Sequence, residues 1–403
     1  MSKTKVIKGG VTAPVGFKAA GVSCGIKASG KKDVAVIFSE VSAKTSAVFT
    51  TNKMAAAPVH FSRCNTRNGI CQAVVTNSGN ANACTGLKGE EDALEMLDKA
   101  AEALGIRSQN VIVASTGIIG IPLPMDKIKK GITGVVPLLS KEAHADAAEA
   151  IMTTDTYSKE IAVQFEFRGK TVTIGGMAKG SGMIAPNMAT MLAFLTTDIN
   201  ICRTCLNAGL FEAVNKSFNM ITVDGETSTN DMVAILANGK AGNEELILGD
   251  DDCGIFEEAL NYVTTELAKM IVKDGEGITK FIEIDVKGAK TGEDAKKAAM
   301  AIANSNLVKT AFFGEDANWG RIISAIGHSM AEIDPDTIDI YFDDAQVVKD
   351  SVGVSCDEKE IDKILKKKEI KLIVDLHIGN ENVTVWTCDL SHDYVNINAS
   401  YRT

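Results

Sequence analysis

A glycine-rich segment in the middle of the chain, residues 175–190, is the feature that most constrains the fold. It follows residues 165–174, predicted as a hairpin with its turn at 168–170, and it precedes the apolar run 191–195. Glycines allow a backbone to adopt strained angles or to approach another group closely. The apolar run is too short for its period to distinguish a strand from a helix. The segment predicts either a functional loop that feeds a buried element or an ordinary glycine-rich surface turn.

Strand and helix patterns alternate along the rest of the chain with little linker. Apolar residues at helical spacing over 93–104 end at Gly105 and precede a predicted buried strand at 110–114. A second helical stripe over 256–271 precedes an alternating strand pattern at 281–286. The predicted fold class is mixed α/β or α+β, and 403 residues correspond to two or three domains of ordinary size.

Composition excludes several function classes. The 42 basic and 52 acidic residues give a net charge of −10, the opposite sign from a protein that binds nucleic acid through phosphates. No stretch reaches the ~20 apolar residues of a membrane span, and the start of the chain lacks the apolar region of an export signal. Nine cysteines, an odd number scattered along the chain, favour reduced thiols. We therefore expect a cytoplasmic protein without nucleic-acid or membrane partners.

Other motifs give weaker signals. Cys202 and Cys205 form a lone C-x-x-C that is better interpreted as the start of a helix than as a redox or zinc pair. Residues 180–185 match G-x-G-x-x-A, with Asp198 downstream, but Pro186 and the short spacing disfavour a dinucleotide-binding unit. The histidines show no metal-ligand spacing, so no metal site is expected: His60, His144, His328, His377 and His392.

Thr190 is a candidate nucleophile at the end of the glycine-rich segment. A threonine hydroxyl needs a neighbouring base, and cleavage of the preceding peptide bond would supply one in the new α-amine. Such an amine has a pKa of about 8 and acts near neutral pH. Glycines, Pro186 and Ala189 precede Thr190, and an apolar run follows it. The pattern is compatible with an N-terminal-nucleophile enzyme.

Residues 179–192 resemble the cleavage-site motif of the ornithine acetyltransferase family, the glutamate N-acetyltransferases of arginine biosynthesis. Many members have a histidine where this chain has Ala185, a position outside the proposed nucleophile pair. Further segments agree with the family along almost the whole chain: 51–53, 77–83, 115–120, 153–156, 224–231, 273–277 and 316–321.

The resemblance implies self-cleavage between Ala189 and Thr190. The products would be an α chain of residues 1–189 and a β chain of residues 190–403. Within the β chain, 190–280 would complete the catalytic sandwich and 281–403 would form a C-terminal α/β part. The implied fold is a layered β-sandwich flanked by helices, similar to N-terminal-nucleophile hydrolases but differently connected, and the implied assembly is α2β2.

The resemblance also implies a reaction and its residues. Thr190 would accept the acetyl group of N2-acetylornithine and pass it to glutamate by a ping-pong mechanism. Thr116 and Gly117 would form the oxyanion hole. The family's substrate-binding positions correspond to Thr153, Lys179, Thr190, Glu276, Asn398 and Thr403. No cofactor is expected, and acetyl-CoA would be a substrate only if the enzyme is bifunctional.

Alternatives stay open from the residues alone. An N-terminal-nucleophile amidohydrolase or aminopeptidase of the same fold would pass the acyl group to water. A nucleotide-binding oxidoreductase would depend on the loop 180–185, and a non-catalytic binding protein would remain one chain. Residues 224–231 are expected to line or support the site, or to form a polar turn.

Overall fold

Two β-sheets organise the fold, and the computed structural model describes residues 4–185 and 191–400. The chain divides into two compact units. The first contains the described residues up to 219 together with 226–271, and the second contains 220–225 and 272–400. No helix in the described part of the chain is both long enough and apolar enough to cross a lipid bilayer.

The first unit contains a sheet with the strand order β1-β6-β7-β8-β9-β3-β4-β5, and β2 pairs with β3. Its strands are β1 (Lys5–Ile7), β2 (Phe17–Val22), β3 (Val34–Phe49), β4 (Ile70–Asn80), β5 (Val111–Ile118), β6 (Lys159–Phe167), β7 (Lys170–Lys179), β8 (Leu192–Thr197) and β9 (Met232–Ala237). Its helices are α1 (Ala57–Thr66), α2 (Gly86–Leu104), α3 (Met125–Val135), α4 (His144–Ala150), α5 (Arg203–Lys216) and α6 (Cys253–Lys273), the last of which ends just beyond the unit boundary.

The sheet of the first unit forms two layers that share one core. The buried cluster that contains Phe17, Ile37 and Val74 also contains Met177 and Phe194, which come from the other half of the strand order. The long strand β3 has an irregular register between Phe38 and Ala43, and bulges of this kind bend a strand. One layer therefore folds over the other.

Helices cover the outer faces of both layers. On one side, Val36 and Val75 share a buried cluster with Met96 of α2 and with Ile128 and Ile132 of α3. On the other side, α6 packs so tightly against β7 that a Cβ on Gly176 would lie 2.9 Å from Leu267. Helix α5 packs on α6. This arrangement confirms the predicted layered β-sandwich flanked by helices.

The glycine-rich segment begins later than its composition suggested. Residues 175–179 are not loop but the second half of β7. A Cβ on Gly175 would lie 2.1 Å from the carbonyl oxygen of Gly10, so glycine is required there by close packing of another backbone. The predicted hairpin is confirmed as β6 and β7, and the ambiguous apolar run is strand β8.

The second unit contains a sheet with the strand order β13-β12-β11-β14-β10-β15. A buried cluster of mainly aliphatic residues lies between this sheet and its helices. The predicted strand at 281–286 is confirmed as the start of β10. The elements are β10 (Phe281–Ala289), α7 (Gly292–Ala303), α8 (Asn306–Phe313), α9 (Trp319–Gly327), β11 (Asp339–Phe342), β12 (Ala345–Lys349), β13 (Val352–Gly353), α10 (Glu358–Leu365), β14 (Glu369–Asp375), β15 (Glu381–Cys388) and α11 (His392–Ser400).

Candidate active site

The predicted site residues divide into three groups. Ala189, Thr190 and Thr403 lie outside the described residues. The first unit carries Thr116, Gly117, Thr153 and Lys179, and the second unit carries Glu276 and Asn398. The four residues of the first unit are called the Lys179 cluster, and the two residues of the second unit are called the Glu276 cluster.

The proposed oxyanion residues lie near the end of β5, beside the parallel strand β4. Gly117 pairs with Gly79 of β4 and has a φ of 130°, a conformation that favours glycine. A Cβ on Gly117 would lie 2.4 Å from the carbonyl carbon of Gly79 and 2.5 Å from the amide nitrogen of Asn80. Because both contacts are with backbone, no side chain fits without a shift of β4. Thr116 precedes this glycine and is buried.

A buried amide network fixes the strand ends on which these residues lie. Ser115 donates a hydrogen bond to Asn77 Oδ1 (2.6 Å), and Asn77 Nδ2 donates to the carbonyl of Asn80 (2.9 Å). Asn80 Nδ2 donates to the carbonyls of Ile121 and Pro122 at 3.0 and 3.1 Å. Buried backbone carbonyls need such partners. The asparagine-rich segment 77–83 therefore orders the turn that follows Gly117.

Asn230 supports the same strand end from the segment 224–231. Its Nδ2 donates to the carbonyl of Ala81 at 2.6 Å and to the carbonyl of Ser115 at 2.9 Å, and its Oδ1 accepts from Thr229 Oγ1 at 2.6 Å. Asn230 is buried and lies more than a hundred residues from Ser115 in sequence. Of the alternatives for this segment, the structure favours a supporting role at Asn230.

Lys179 connects two of the proposed site hydroxyls. It is the last residue of β7 and is buried. Its Nζ donates to Thr153 Oγ1 at 2.9 Å and to Thr116 Oγ1 at 3.3 Å. An ammonium group is a donor only, so both threonine oxygens act as acceptors at these contacts. Each hydroxyl hydrogen therefore remains available to donate to a third group.

Asp155 and Lys159 form a buried ion pair next to this cluster. Asp155 Oδ1 accepts from Lys159 Nζ at 2.7 Å and from the amide of Gly180 at 2.8 Å, and Oδ2 accepts from the amide of Thr153 at 2.9 Å. Both side chains are fully inaccessible to solvent. Burial alone would raise the pKa of Asp155, but the charges of Lys179 and Lys159 and these hydrogen bonds hold the pKa well below its usual value. The carboxylate thus fixes the backbone on both sides of the Lys179–Thr153 contact.

The second unit holds Glu276 and Asn398 together. Asn398 Nδ2 donates to Glu276 Oε2 at 2.9 Å and to the carbonyl of Tyr394, one turn earlier in α11, at 3.0 Å. Gly277 has a φ of 67°, and a Cβ there would lie 2.4 Å from the amide nitrogen of Tyr394. Ser391 also donates a hydrogen bond to the carbonyl of Gly277. The loop of Glu276 is therefore attached to the start of α11.

The structure does not favour the nucleotide-binding alternative. The element described after residue 185 is β8, which runs antiparallel to β7, whereas a dinucleotide unit joins parallel strands through a helix. Asp198, the acidic residue downstream of the dinucleotide-like motif, is buried and accepts hydrogen bonds from the backbone amides of Val15 and Thr173 at 2.9 and 2.8 Å. This carboxylate joins segments of the first unit.

The C-x-x-C pair begins a helix, as predicted. Cys202 is the N-cap of α5, and its sulfur accepts a hydrogen bond from the amide of Cys205. Within residues 4–185 and 191–400, no three histidine, cysteine or acidic side chains are grouped so as to hold a metal ion.

Comparisons with known proteins decide the family. Residues 18–403 match the ArgJ family. The chain belongs to the ArgJ family. It is 55% identical over 399 residues to the arginine biosynthesis bifunctional protein ArgJ of Symbiobacterium thermophilum, covering 98% of this chain and 99% of that protein. It is 52% identical over 403 residues to the protein of the same name from Caldanaerobacter subterraneus, covering 99% and 100%.

A solved structure of an ArgJ protein also resembles this chain. The crystal structure of arginine biosynthesis bifunctional protein ArgJ from Bacillus halodurans is 47% identical, with a TM-score of 0.51. The match covers 53% of this chain and 100% of the solved chain. The family predicted from the sequence motifs is thereby confirmed.

The sequence did not predict the contacts of several residues that support the site. Asn80, Asp155 and Asn230 lie in the family-like segments, but their sequence context assigned them no contact. Asp155 and Lys159 are four residues apart, a spacing that indicates an ion pair in helices, yet here Asp155 lies in an irregular segment and Lys159 is the first residue of β6. Asn230 has no local signal at all.

Proposed function

We propose that this chain transfers the acetyl group of N2-acetylornithine to glutamate through an acetyl-enzyme on Thr190. Membership of the ArgJ family makes the chain an acyltransferase of arginine biosynthesis, as the motifs predicted. The observation that carries the proposed mechanism is the Lys179 ammonium, which donates to the hydroxyls of both Thr116 and Thr153 beside the end of β5.

The nucleophile is produced by cleavage between Ala189 and Thr190. Residues 190–403 make up about 53% of the chain, the same share that the complete Bacillus halodurans chain covers. This agreement in length supports a mature chain of the size that cleavage before Thr190 would produce. The new α-amine, with a pKa of about 8, then acts as the base for the hydroxyl of the same residue.

Thr116 stabilises the oxyanion as a hydrogen-bond donor. Because its oxygen accepts from Lys179, its hydroxyl hydrogen is left to donate to the negative oxygen of the tetrahedral intermediate. Gly117 supplies the second donor, its backbone N–H. The amide network around Asn77, Asn80 and Asn230 keeps both donors in place, and preorganised donors of this kind lower the barrier most.

Substrate charges are matched by the charges of the two clusters. Both substrates are α-amino acids, so each carries a carboxylate for which Lys179 and Thr153 supply cationic and polar donors. Ornithine also carries a side-chain ammonium, for which the carboxylate of Glu276 and the side-chain carbonyl of Asn398 supply acceptors. Thr403 at the chain end completes the proposed set. Each of these assignments is a proposal that substitution can test.

Three further properties belong to the proposal. The word "bifunctional" in the names of the relatives supports a second activity, acetylation of glutamate with acetyl-CoA as a substrate and no bound cofactor. The mature enzyme is an α2β2 assembly, which native mass spectrometry would test. Its location is the cytoplasm, in agreement with the scattered free cysteines.

Product analysis tests the proposed reaction against the amidohydrolase alternative. With acetylornithine and glutamate, we expect ornithine and N-acetylglutamate in equal amounts and ping-pong kinetics. With acetylornithine alone, we expect one equivalent of ornithine per active site and no continued release of acetate. Steady acetate production that glutamate does not suppress would favour the hydrolase and contradict the proposal.

A further inference from the structure

A cavity in the first unit adjoins the Lys179 cluster and is lined by two lysines that the proposed reaction has not used, the half-buried Lys27 and the exposed Lys31. Its volume is about 370 Å³, within the range of small-molecule sites. Thr153 and Asp155, both described above, contribute to its wall together with Lys27 and Tyr157. Thr153, one of the proposed substrate-binding residues, is therefore part of the wall of this cavity.

Lys27 is held beside β4, the strand that pairs with the proposed oxyanion residues of β5. A Cβ added to Gly79, the partner of Gly117, would lie 3.1 Å from Lys27 Cγ, so the stem of the lysine lies directly against this glycine. The loop around Lys27 is fixed by Asp33, which is fully buried and accepts hydrogen bonds from the amides of Ile26 (2.7 Å) and Lys27 (3.2 Å). The position of Lys27 is thus set before any substrate binds.

The ammonium of Lys27 retains capacity for an anion. Within residues 4–185 and 191–400 it donates to one acceptor, the carbonyl of Lys32 at 2.6 Å, and it has no ion-pair partner. An ammonium carries three donors. Burial lowers the pKa of Lys27 to about 8 and the charge of Lys179 adds to this, while Asp33 and Asp155 oppose it. A bound carboxylate would stabilise the charged form.

Three of the acidic groups near Lys27 have cationic partners, and the fourth, Asp33, accepts hydrogen bonds from backbone amides. Asp155 pairs with Lys159, and Asp146 and Glu149 of the cavity wall both pair with Lys32, at 2.6 and 2.7 Å. Lys31 also lines the cavity but is exposed, so within residues 4–185 and 191–400 Lys27 is the half-buried cation of the wall that these carboxylates leave without a direct contact. A ligand with a carboxylate matches this cavity better than one with an ammonium.

We propose that Lys27 binds the side-chain carboxylate of the acceptor amino acid, and that it thereby distinguishes glutamate from ornithine in the second half of the reaction. The inference rests on the proposed acetyl transfer. The two substrates share an α-amino acid head but carry tails of opposite charge, so one enzyme needs separate groups for the two tails. Lys27 provides the charge for the anionic tail.

The experiment compares the two half-reactions in wild type and K27M. We expect the KM for glutamate to rise about 10- to 100-fold, the effect of losing one charged hydrogen bond. We expect no change in the formation of acetyl-enzyme from acetylornithine. The wild-type preference in kcat/KM for glutamate over glutamine should fall by a similar factor, and K27R should restore part of it. The preference is a ratio within one enzyme, so partial misfolding does not change it.

Lys127→Met is the matched control, because the Lys127 ammonium donates to the carbonyl of Gly25 in the same loop but does not line the cavity. It should leave both half-reactions unchanged. An unchanged glutamate-to-glutamine preference in K27M, or an equal loss in both half-reactions, would overturn the role of Lys27. Failure of the wild type to form any acetyl-enzyme would instead overturn the proposed function.

Discussion

The Lys179 cluster of the first unit and the Glu276 cluster of the second differ in how firmly they are held. Thr116 and Lys179 lie on strands of a covered sheet and are buried, and Asp155 and Lys159 behind them are inaccessible to solvent. Glu276 is also buried but lies in a loop, and its partner Asn398 is exposed on α11, a helix without buried residues. The first cluster lies on strands of a covered sheet, whereas the second joins a loop to an exposed helix.

This difference is consistent with separate roles for the two clusters in the proposed reaction. Stabilising a developing oxyanion requires donors that do not reorganise during the reaction, and a strand end in a packed sheet supplies them. Recognising a flexible amino-acid tail requires charge and polar partners but tolerates small movements. We therefore expect substitution of Asp155 in the first cluster to reduce stability and substitution of Thr116 to reduce the rate of chemistry, whereas substitutions in the second cluster should change substrate affinity.

The largest effect should follow Asp155→Asn. The substitution removes the negative charge that faces the buried lysines Lys159 and Lys179. Breaking a buried ion pair in this way costs about 3–5 kcal/mol in the free energy of unfolding. Denaturant unfolding measures this loss. Because the pKa of Asp155 is lower in the folded protein than in the unfolded chain, its contribution is present at neutral pH and is lost as the pH falls below about 4.

Asp252→Asn provides the matched control for this carboxylate, since Asp252 pairs with Arg168 on a partly exposed surface. Its effect on stability should be smaller, because the pair is partly exposed and Asp250 remains as a second partner of Arg168. Equal effects of the two substitutions would remove the contrast between a buried, rigid cluster and the rest of the molecule.

Thr116→Val should reduce kcat/KM by about two to three decades, the usual cost of one oxyanion donor. The fall should appear in kcat for both half-reactions, because each passes through a tetrahedral intermediate. Rapid-quench kinetics of acetyl-enzyme formation measure it. Thr133→Val, on the exposed face of α3, should have wild-type kinetics. A change confined to KM would assign Thr116 to binding alone.

Glu276→Gln should raise the KM for acetylornithine about 10- to 100-fold through loss of the charge opposite the ornithine ammonium. Glutamine can still accept the hydrogen bond from Asn398, so the loop should keep its structure. Glu369→Gln removes a solvent-exposed partner of Lys273 in the same unit and should change neither substrate's KM. A fall in kcat with an unchanged KM would show that Glu276 acts in the chemical step, which would contradict the separate roles proposed for the two clusters.

The smallest effect is expected for Asn398→Ala, which removes one neutral partner of Glu276. The KM for acetylornithine should rise about 2- to 10-fold without loss of stability. Asn396→Ala, on the same exposed helix, should behave as wild type. A loss of stability comparable to that of Asp155→Asn would show that the second cluster is as rigid as the first.

The sequence predicted the elements that have local signals. Helix α2 ends at Leu104, and Gly105 takes the left-handed conformation expected of a helix-ending glycine. The strand that carries Thr116 was recognised from its apolar run. Gly175 was wrongly placed in a loop, because glycine content does not distinguish a flexible segment from a strand onto which another backbone packs.

The contacts of the site were harder to predict because they join distant parts of the chain. Asn230 supports Ser115, and Lys27 lies against Gly79, yet neither pair has a periodic or local pattern. The roles of Lys179 and Glu276 came from the family resemblance, since an isolated lysine or glutamate in a sequence is usually a solvated surface charge.

Intact mass spectrometry of the denatured enzyme after reaction with acetylornithine, in the absence of glutamate, tests the central claim most directly. We predict two chains, 1–189 and 190–403, with one acetyl group on the second chain that maps to Thr190 and disappears when glutamate is added. Thr190→Ala should give one uncut, unacetylated chain. An active wild-type preparation that remains a single chain, or that carries the acetyl group on another residue, would contradict the account.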